Sequence, residues 1–219
     1  MKKERIGLFG GTFNPIHLGH LKAAEIVQKR FLLDKILFIP SYIPPHKETV
    51  EIASPLHRLK MVDIACASYP LFIPSSIEIE AKGKSYSIIT LSKVEKIFPE
   101  ALIFFLLGVD SFLEIETWRE HEKLLAKCFF IIVNRPGYHL KDVKEVLNGR
   151  YRERMHELSE RGEIDEGIFA SFNIFLFPIQ ALNIASTEIR RRIQRGDSVK
   201  RMVTAAVEAY IKKNKLYQN

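Results

Sequence analysis

Six short runs of Ile, Leu, Val and Phe constrain this chain more than any other feature. They lie at Arg5–Phe9, Lys35–Ile39, Leu71–Ile79, Leu102–Leu107, Cys128–Val133 and Asn173–Ile179, and none alternates with polar residues. Such runs read as strands buried on both faces. Between them, Leu18–Phe31, Pro55–Ser68, Ser87–Phe98 and about Leu113–Ala126 carry helical spacing. Strands alternating with helices predict βαβ units and a parallel sheet. Right-handed crossovers then give a doubly wound α/β fold. Residues 139–172 are charged and rich in helix formers, and read as a helical insertion at the periphery. Residues 198–219 read as a C-terminal helix. No Pro/Gly/Ser linker separates a second domain, so 1–219 reads as one domain.

Composition narrows the class of ligand without choosing one. At 219 residues and 47% apolar content, the chain can bury a full core. The formal charge of +7 suits anionic partners: nucleotides, nucleic acid or acidic metabolites. The longest apolar run, Ala101–Val109, is half the length of a membrane span, so no membrane association is expected. Met1–Gly11 lacks the apolar stretch of a signal peptide. Cys66 and Cys128 form no CxxC pair, which suits a reducing compartment and predicts a cytoplasmic protein.

In a doubly wound sheet, ligands sit beyond the carboxyl ends of the strands. The segments there are Gly10-Gly11-Thr12-Phe13-Asn14 with His17 and His20, Pro44-Pro45-His46-Lys47, and Lys84-Ser85-Tyr86-Ser87. They continue with Gly108-Val109-Asp110-Ser111, Arg135-Pro136-Gly137, and Ser186-Thr187 with Arg190 one turn on. Glycines, hydroxyls, histidines and cations on six separate loops describe a pocket for a polyanion bearing a sugar. Pro40–Ser54, with three prolines and little apolar periodicity, reads as a loop that orders when ligand binds.

Each motif also has a plainer reading. Gly10-Gly11 fits neither GxGxxG nor a P-loop and can be a simple backbone turn. Gly83-Lys84-Ser85 has a P-loop tail, but Glu78 stands where the leading glycine belongs. His17 and His20, at i and i+3, could bind zinc or cap a helix. They could equally clamp phosphate at a helix start, where free N–H groups and the helix dipole favour an anion. Gly19 between them leaves room for a phosphate to come close. Trp118 could lie in the core or stack on a substrate ring. The run Arg190–Arg195 reads as a solvated helix face, of which only Arg190 is kept as a site residue.

The ordered set of motifs resembles a known family. "GGTFNPIHLGH" at Gly10–His20 is similar to the HxGH signature of the nucleotidyltransferases, and "IASTEIR" at Ile184–Arg190 to their second motif. With "PPHK", "GKSYSIITL", "GVDSF…TW" and "NRPGY" between them, the chain resembles the bacterial nicotinate-nucleotide adenylyltransferases from Ile6 to about Ile193. Asn14 stands in place of a usual Asp, Ala185 of a Ser, Ser87 of a Thr, and Arg119 of a frequent Tyr. The resemblance implies a Rossmann-like nucleotidyltransferase fold with C-terminal helices. It also implies direct in-line transfer of AMP from ATP to nicotinate mononucleotide, with Mg²⁺ bridging ATP oxygens and no metal ligands from the protein.

The resemblance further implies roles. His17 and His20 are catalytic and hold α- and β-phosphate oxygens. Gly10, Gly11, Thr12 and Phe13 cradle the ATP phosphates, Gly108 and Asp110 meet the ribose, and Ser186, Thr187 and Arg190 bind the β- and γ-phosphates. Asn14, His46, Lys47, Ser87, Trp118, Arg119 and Arg135 serve the mononucleotide. Trp118 covers the pyridine ring, while the backbone N–H groups of Ser87 and Arg119 face its carboxylate. The partners expected are thus ATP and nicotinate mononucleotide, without nucleic acid or membrane, and the oligomeric state is open, a homo-oligomer included. Two alternatives remain: another HxGH enzyme, acting on nicotinamide mononucleotide or pantetheine phosphate, and a non-enzymatic nucleic-acid-binding module. The second predicts a basic stripe, whereas the cations here are interleaved with acids.

Overall fold

A computed structural model describes residues 3–43, 52–135, 137–146, 149–180 and 182–218. The elements in chain order begin with β1 (Arg5–Gly11), α1 (Leu18–Phe31), β2 (Lys35–Pro40), α2 (Pro55–Cys66), β3 (Phe72–Pro74) and α3 (Ser87–Ile97). They continue with β4 (Leu102–Gly108), α4 (Val109–Phe112), a 3₁₀ turn (Ile115–Thr117), α5 (His121–Lys127) and β5 (Phe129–Val133). After a second 3₁₀ turn (Leu140–Asp142) come α6 (Val143–Val146), α7 (Gly149–Arg152), β6 (Met155–Glu157), α8 (Ile168–Ser171) and β7 (Ile174–Phe177). The chain ends on α9 (Ser186–Gln194) and α10 (Ala205–Lys213).

The sheet has seven strands in the order β3-β2-β1-β4-β5-β7-β6. The pairings of β4 with β1 and β5, and of β7 with β5 and β6, are all parallel. With helices between successive strands this is the expected doubly wound α/β architecture. β4 shows why it reads so clearly: six of its seven residues are buried.

Three expectations need correction. The stretch 139–172 is not wholly helical, because Met155–Glu157 forms β6 and pairs with β7 at the sheet edge. An edge strand of Met, His and Glu, none fully buried, has no apolar run to betray it. The run Leu71–Ile79 shortens to the three residues of β3, since Pro74 cannot donate to a ladder. Leu113–Ala126 divides into a 3₁₀ turn and the shorter α5. The loop expected at Pro40–Ser54, with His46 and Lys47, falls largely on 44–51 and lies outside the described residues.

Contacts divide the chain into two compact units. One comprises residues 1–9, 23–36 and 86–181. Its core is a phenylalanine cluster, in which Phe31 lies 5.6 to 6.2 Å from Phe104, Phe175 and Phe177. Arg5 is buried there, its guanidinium donating to the Phe31 carbonyl and pairing with Glu166 at 2.8 Å.

The other unit comprises residues 10–22, 37–85 and 182–219. Its helix α2 is capped by Ser54, whose Oγ accepts from the His57 N–H, with Pro55 preset for the first turn. His57 then hydrogen-bonds Tyr210 of α10 at 2.9 Å. Among the described residues, no helix is long and apolar enough to cross a membrane.

Both cysteines are free and buried. Burial pushes the Cys66 thiol up to about 12 and raises Cys128 as well, so neither is a thiolate near neutrality. Ellman's reagent at pH 8 is expected to titrate neither thiol in the native protein and both after unfolding. Fast native reaction would contradict this burial.

Candidate active site

The segment after β1 leads directly into the histidine pair. Phe13 takes a left-handed φ of 46°, and the Asn14–Pro15 peptide bond is cis. Helix α1 begins one residue after His17. The two histidines hold each other through their backbones. The His17 N–H donates to His20 Nδ1 at 3.2 Å, and the His20 N–H donates to His17 Nδ1 at 3.3 Å. The rings stack with centroids 3.6 Å apart. Because each Nδ1 accepts, the ring proton is assigned to Nε2 in both histidines. Two stacked imidazolium rings would repel, so the pair works as neutral Nε2–H donors.

Gly19 makes this fold-back feasible. A Cβ at that position would stand 3.0 Å from His17 Nδ1 and 3.1 Å from its Cε1. Phe13 is buried, and its ring meets His20 edge-on at 5.1 Å and Phe38 at 5.9 Å. The Phe13 side chain therefore buttresses His20, and only its backbone is placed to serve a phosphate. A Cβ on Gly10 would meet nothing within 4 Å, so protein packing does not demand glycine there.

The second motif joins this segment across the chain. Ser186 Oγ donates to the Pro15 carbonyl at 2.9 Å, 171 residues away in sequence. Arg190 Nη1 donates to the Asn14 carbonyl at 3.0 Å. Ala185 sits at the N-cap of α9 and offers no side-chain acceptor, so the first turn of α9 lacks a side-chain cap. Thr187 is exposed in that turn. Asn14 is only 4% exposed. Its Oδ1 accepts from the Ala53 N–H at 3.0 Å and the Tyr217 hydroxyl at 2.8 Å. The Thr12 carbonyl accepts from Arg58 Nη1 at 2.8 Å.

The sequence reading missed Arg58 and Tyr217. Arg58 had a signal: it is buried on the α2 face that also buries Met61, Val62 and Ala65, where a cation needs a reason. Tyr217 lies just after the last helix and had none.

The other unit carries the remaining candidates. At the end of β4, Asp110 Oδ1 and Arg135 Nε lie 3.7 Å apart. A Cβ on Gly108 would collide with that carboxylate and stand 2.7 Å from Arg135 Nε, so glycine is required for the approach. Asp110 Oδ1 is buried without a hydrogen-bond donor, an acceptor that suits a ligand hydroxyl. Ser87 opens α3 and is half-buried. Trp118 is also half-buried, not a core residue. Arg119 is 55% exposed, with its guanidinium 5.2 Å over the Tyr86 ring and 3.7 Å from Glu120. Glu120 is held below the usual carboxylate range, first by its hydrogen bond to Lys123. Among the described residues, no cluster of three potential ligands could hold a metal ion.

An open parallel sheet thus has a first turn that leads into a histidine pair and carries a second motif anchored upon it. The model of the cytidylyltransferase-like family matches residues 8–192. A "Probable nicotinate-nucleotide adenylyltransferase" of Desulfitobacterium hafniense is 37% identical over 98% of this chain and 96% of its own length. One of the same name from Desulfatibacillum aliphaticivorans is 38% identical over 97% and 99%. In fold, the chain is similar to Plasmodium falciparum nicotinic acid mononucleotide adenylyltransferase complexed with NaAD. That likeness has a TM-score of 0.72 at 21% identity, covering 98% of this chain and 97% of that one. The chain belongs to the cytidylyltransferase-like family and, within it, to the nicotinate-nucleotide adenylyltransferases.

Gly19→Ala separates the histidine geometry from stability. Alanine gains up to about 1 kcal/mol of helix propensity but presses on the His17 ring. The expected outcome is an unchanged or higher Tm, with kcat/KM for pyrophosphate release lower by roughly tenfold or more. A thermal melt beside an activity assay checks both.

Proposed function

We propose that this enzyme transfers AMP from ATP to nicotinate mononucleotide, giving nicotinate adenine dinucleotide and pyrophosphate in NAD biosynthesis. The observation that carries the reading is the anchoring of Ser186 and Arg190 on the turn that leads into His17 and His20. Family membership and full-length identity to the relatives described above support it. The match over 8–192 also supports treating the chain as one nucleotidyltransferase domain.

The 5′-phosphate of the mononucleotide attacks the α-phosphorus of ATP in line, and pyrophosphate leaves. No protein group becomes covalently modified, so catalysis is positioning and charge stabilisation. The Nε2–H groups of His17 and His20 donate to α- and β-phosphate oxygens as charge builds there. The backbone of Gly10–Phe13 and the Thr12 hydroxyl cradle the phosphates. Thr187, Arg190 and the uncapped first-turn N–H groups of α9, that of Ser186 included, take the β- and γ-phosphates, while the Ser186 hydroxyl acts through Pro15. Asp110 accepts from a ribose hydroxyl, with Gly108 keeping it close. Mg²⁺ enters with ATP as part of the substrate.

For the second substrate, Trp118 stacks on the pyridine ring, and the N–H groups of Ser87 and Arg119 meet its carboxylate. Arg135, and His46 and Lys47 outside the described residues, serve the mononucleotide phosphate. Asn14 acts indirectly, through the turn, since its Oδ1 is already engaged. Two buried free thiols support a cytoplasmic setting.

His17→Ala and His20→Ala are each expected to lower kcat about 10²–10³-fold with little change in Tm. Near-normal turnover in both would end the clamp reading. Nicotinate mononucleotide should be preferred over the amide by at least ~10² in kcat/KM, about 2.7 kcal/mol. An amide NH₂ would meet the backbone donors head-on. Arg119→Ala should leave most of that preference, because an exposed charge is screened. Equal rates for acid and amide would overturn the substrate assignment.

A further inference from the structure

Arg58 is a buried guanidinium, 0% exposed, that no carboxylate among the described residues neutralises at ion-pair distance. Its donors go to three backbone carbonyls instead: Nε to Ala53 at 2.9 Å, Nη1 to Thr12 at 2.8 Å and Nη2 to Tyr42 at 3.0 Å. The first and third carbonyls flank residues 43–52, and the second belongs to the turn after β1. Burial disfavours the charged form of Arg58 and pushes its pKa down. An apolar side chain of similar volume would fill the space but take the donor from all three carbonyls. What only a planar fork of five donors supplies is a fixed geometry among three separate segments.

Tyr217 acts on the same turn from the far side of the sequence. After α10 the chain reverses through two left-handed residues, Lys215 at φ 50° and Tyr217 at φ 63°. The Leu216 N–H closes the reversal on the Ile211 carbonyl at 3.0 Å. Non-glycine residues rarely adopt that region, and surrounding contacts must hold them there. The reversal delivers the Tyr217 hydroxyl to Asn14 Oδ1, which also accepts from the Ala53 N–H. Burial pushes the phenol up, keeping it a donor. Ala53 is thus held twice, its carbonyl by Arg58 and its N–H by Asn14.

We infer that Arg58 and Tyr217 form a brace that positions the Thr12–Asn14 turn for adenylyl transfer, and that both are positioning residues of the reaction. The peptide unit is planar, so fixing the Thr12 carbonyl fixes the direction of the Phe13 N–H. Fixing Asn14 then sets the entry of the chain into the histidine pair. Neither residue touches substrate; both act through the turn. The inference rests on the transfer reaction proposed above.

Arg58→Lys, Arg58→Ala and Tyr217→Phe test it. Lysine keeps the charge but cannot span three carbonyls, and phenylalanine removes one oxygen from a side chain after the last helix. Product formation from ATP and nicotinate mononucleotide is measured first in the parent; no product there overturns both the proposed reaction and the brace. With an active parent, Arg58→Lys is expected to lower kcat roughly tenfold or more, and Tyr217→Phe at least about threefold. KM for both substrates should stay within about threefold, since the turn is displaced rather than stripped of donors. Guanidinium below denaturing concentrations should partly restore kcat in Arg58→Ala and leave the parent unaffected. Should Arg58→Ala fail to fold, the other two variants carry the test. A parent-like kcat per folded molecule in either of them, with only Tm lowered, overturns the inference.

Discussion

Two hydrogen bonds between backbone N–H groups and the Nδ1 atoms of His17 and His20 set the terms for the rest of this site. They turn the rings face to face and settle which nitrogen carries the proton. They also leave little room for a side chain at position 19. From these bonds follows a pair of Nε2–H donors at the start of α1. A P-loop reaches phosphate with a flexible ammonium group. Here two short, stiff side chains are fixed by the backbone from which they grow, so the clamp proposed above would lose little conformational freedom on binding.

The turn before them is organised on the opposite principle, by side chains that reach in from elsewhere. The carbonyls of Thr12, Asn14 and Pro15 accept from Arg58, Arg190 and Ser186 respectively. Binding carbonyls on one side of a turn commits the planar peptide groups to present their N–H groups elsewhere. Two of the three donors are guanidinium groups, so the turn also sits in a positive field. In the other unit, Gly108 brings Asp110 and Arg135 together under a similar economy, with one missing side chain making room for two charged ones.

The fold was legible because parallel strands buried on both faces must be apolar throughout, as in β4 and β5. β6 escaped because an edge strand of three residues is under no such demand. The site residues visible in advance were those whose type is unusual for their place: paired histidines at a helix start, and a glycine before an aspartate. Asn14 was visible for a plainer reason, since a short polar side chain suits a turn, but its engagement with Ala53 and Tyr217 was not. Arg58 is a long-range partner, and nothing local to "HRLKM" says which carbonyls lie within its reach. Arg119 is exposed, as long cations usually are, but the placement of its guanidinium over the Tyr86 ring is set by tertiary packing that the local sequence does not show.

The bonds from Ser186 to Pro15 and from Tyr217 to Asn14 join segments 171 and 203 residues apart. A ribosome makes Asn14 and Pro15 long before it makes Ser186 and Tyr217. The strands β1, β2 and β3 can associate while the chain is still short, but the turn after β1 has to wait for residue 217 before its last donor exists. An emerging chain can therefore acquire much of its sheet well before the turn after β1 gains its full set of partners.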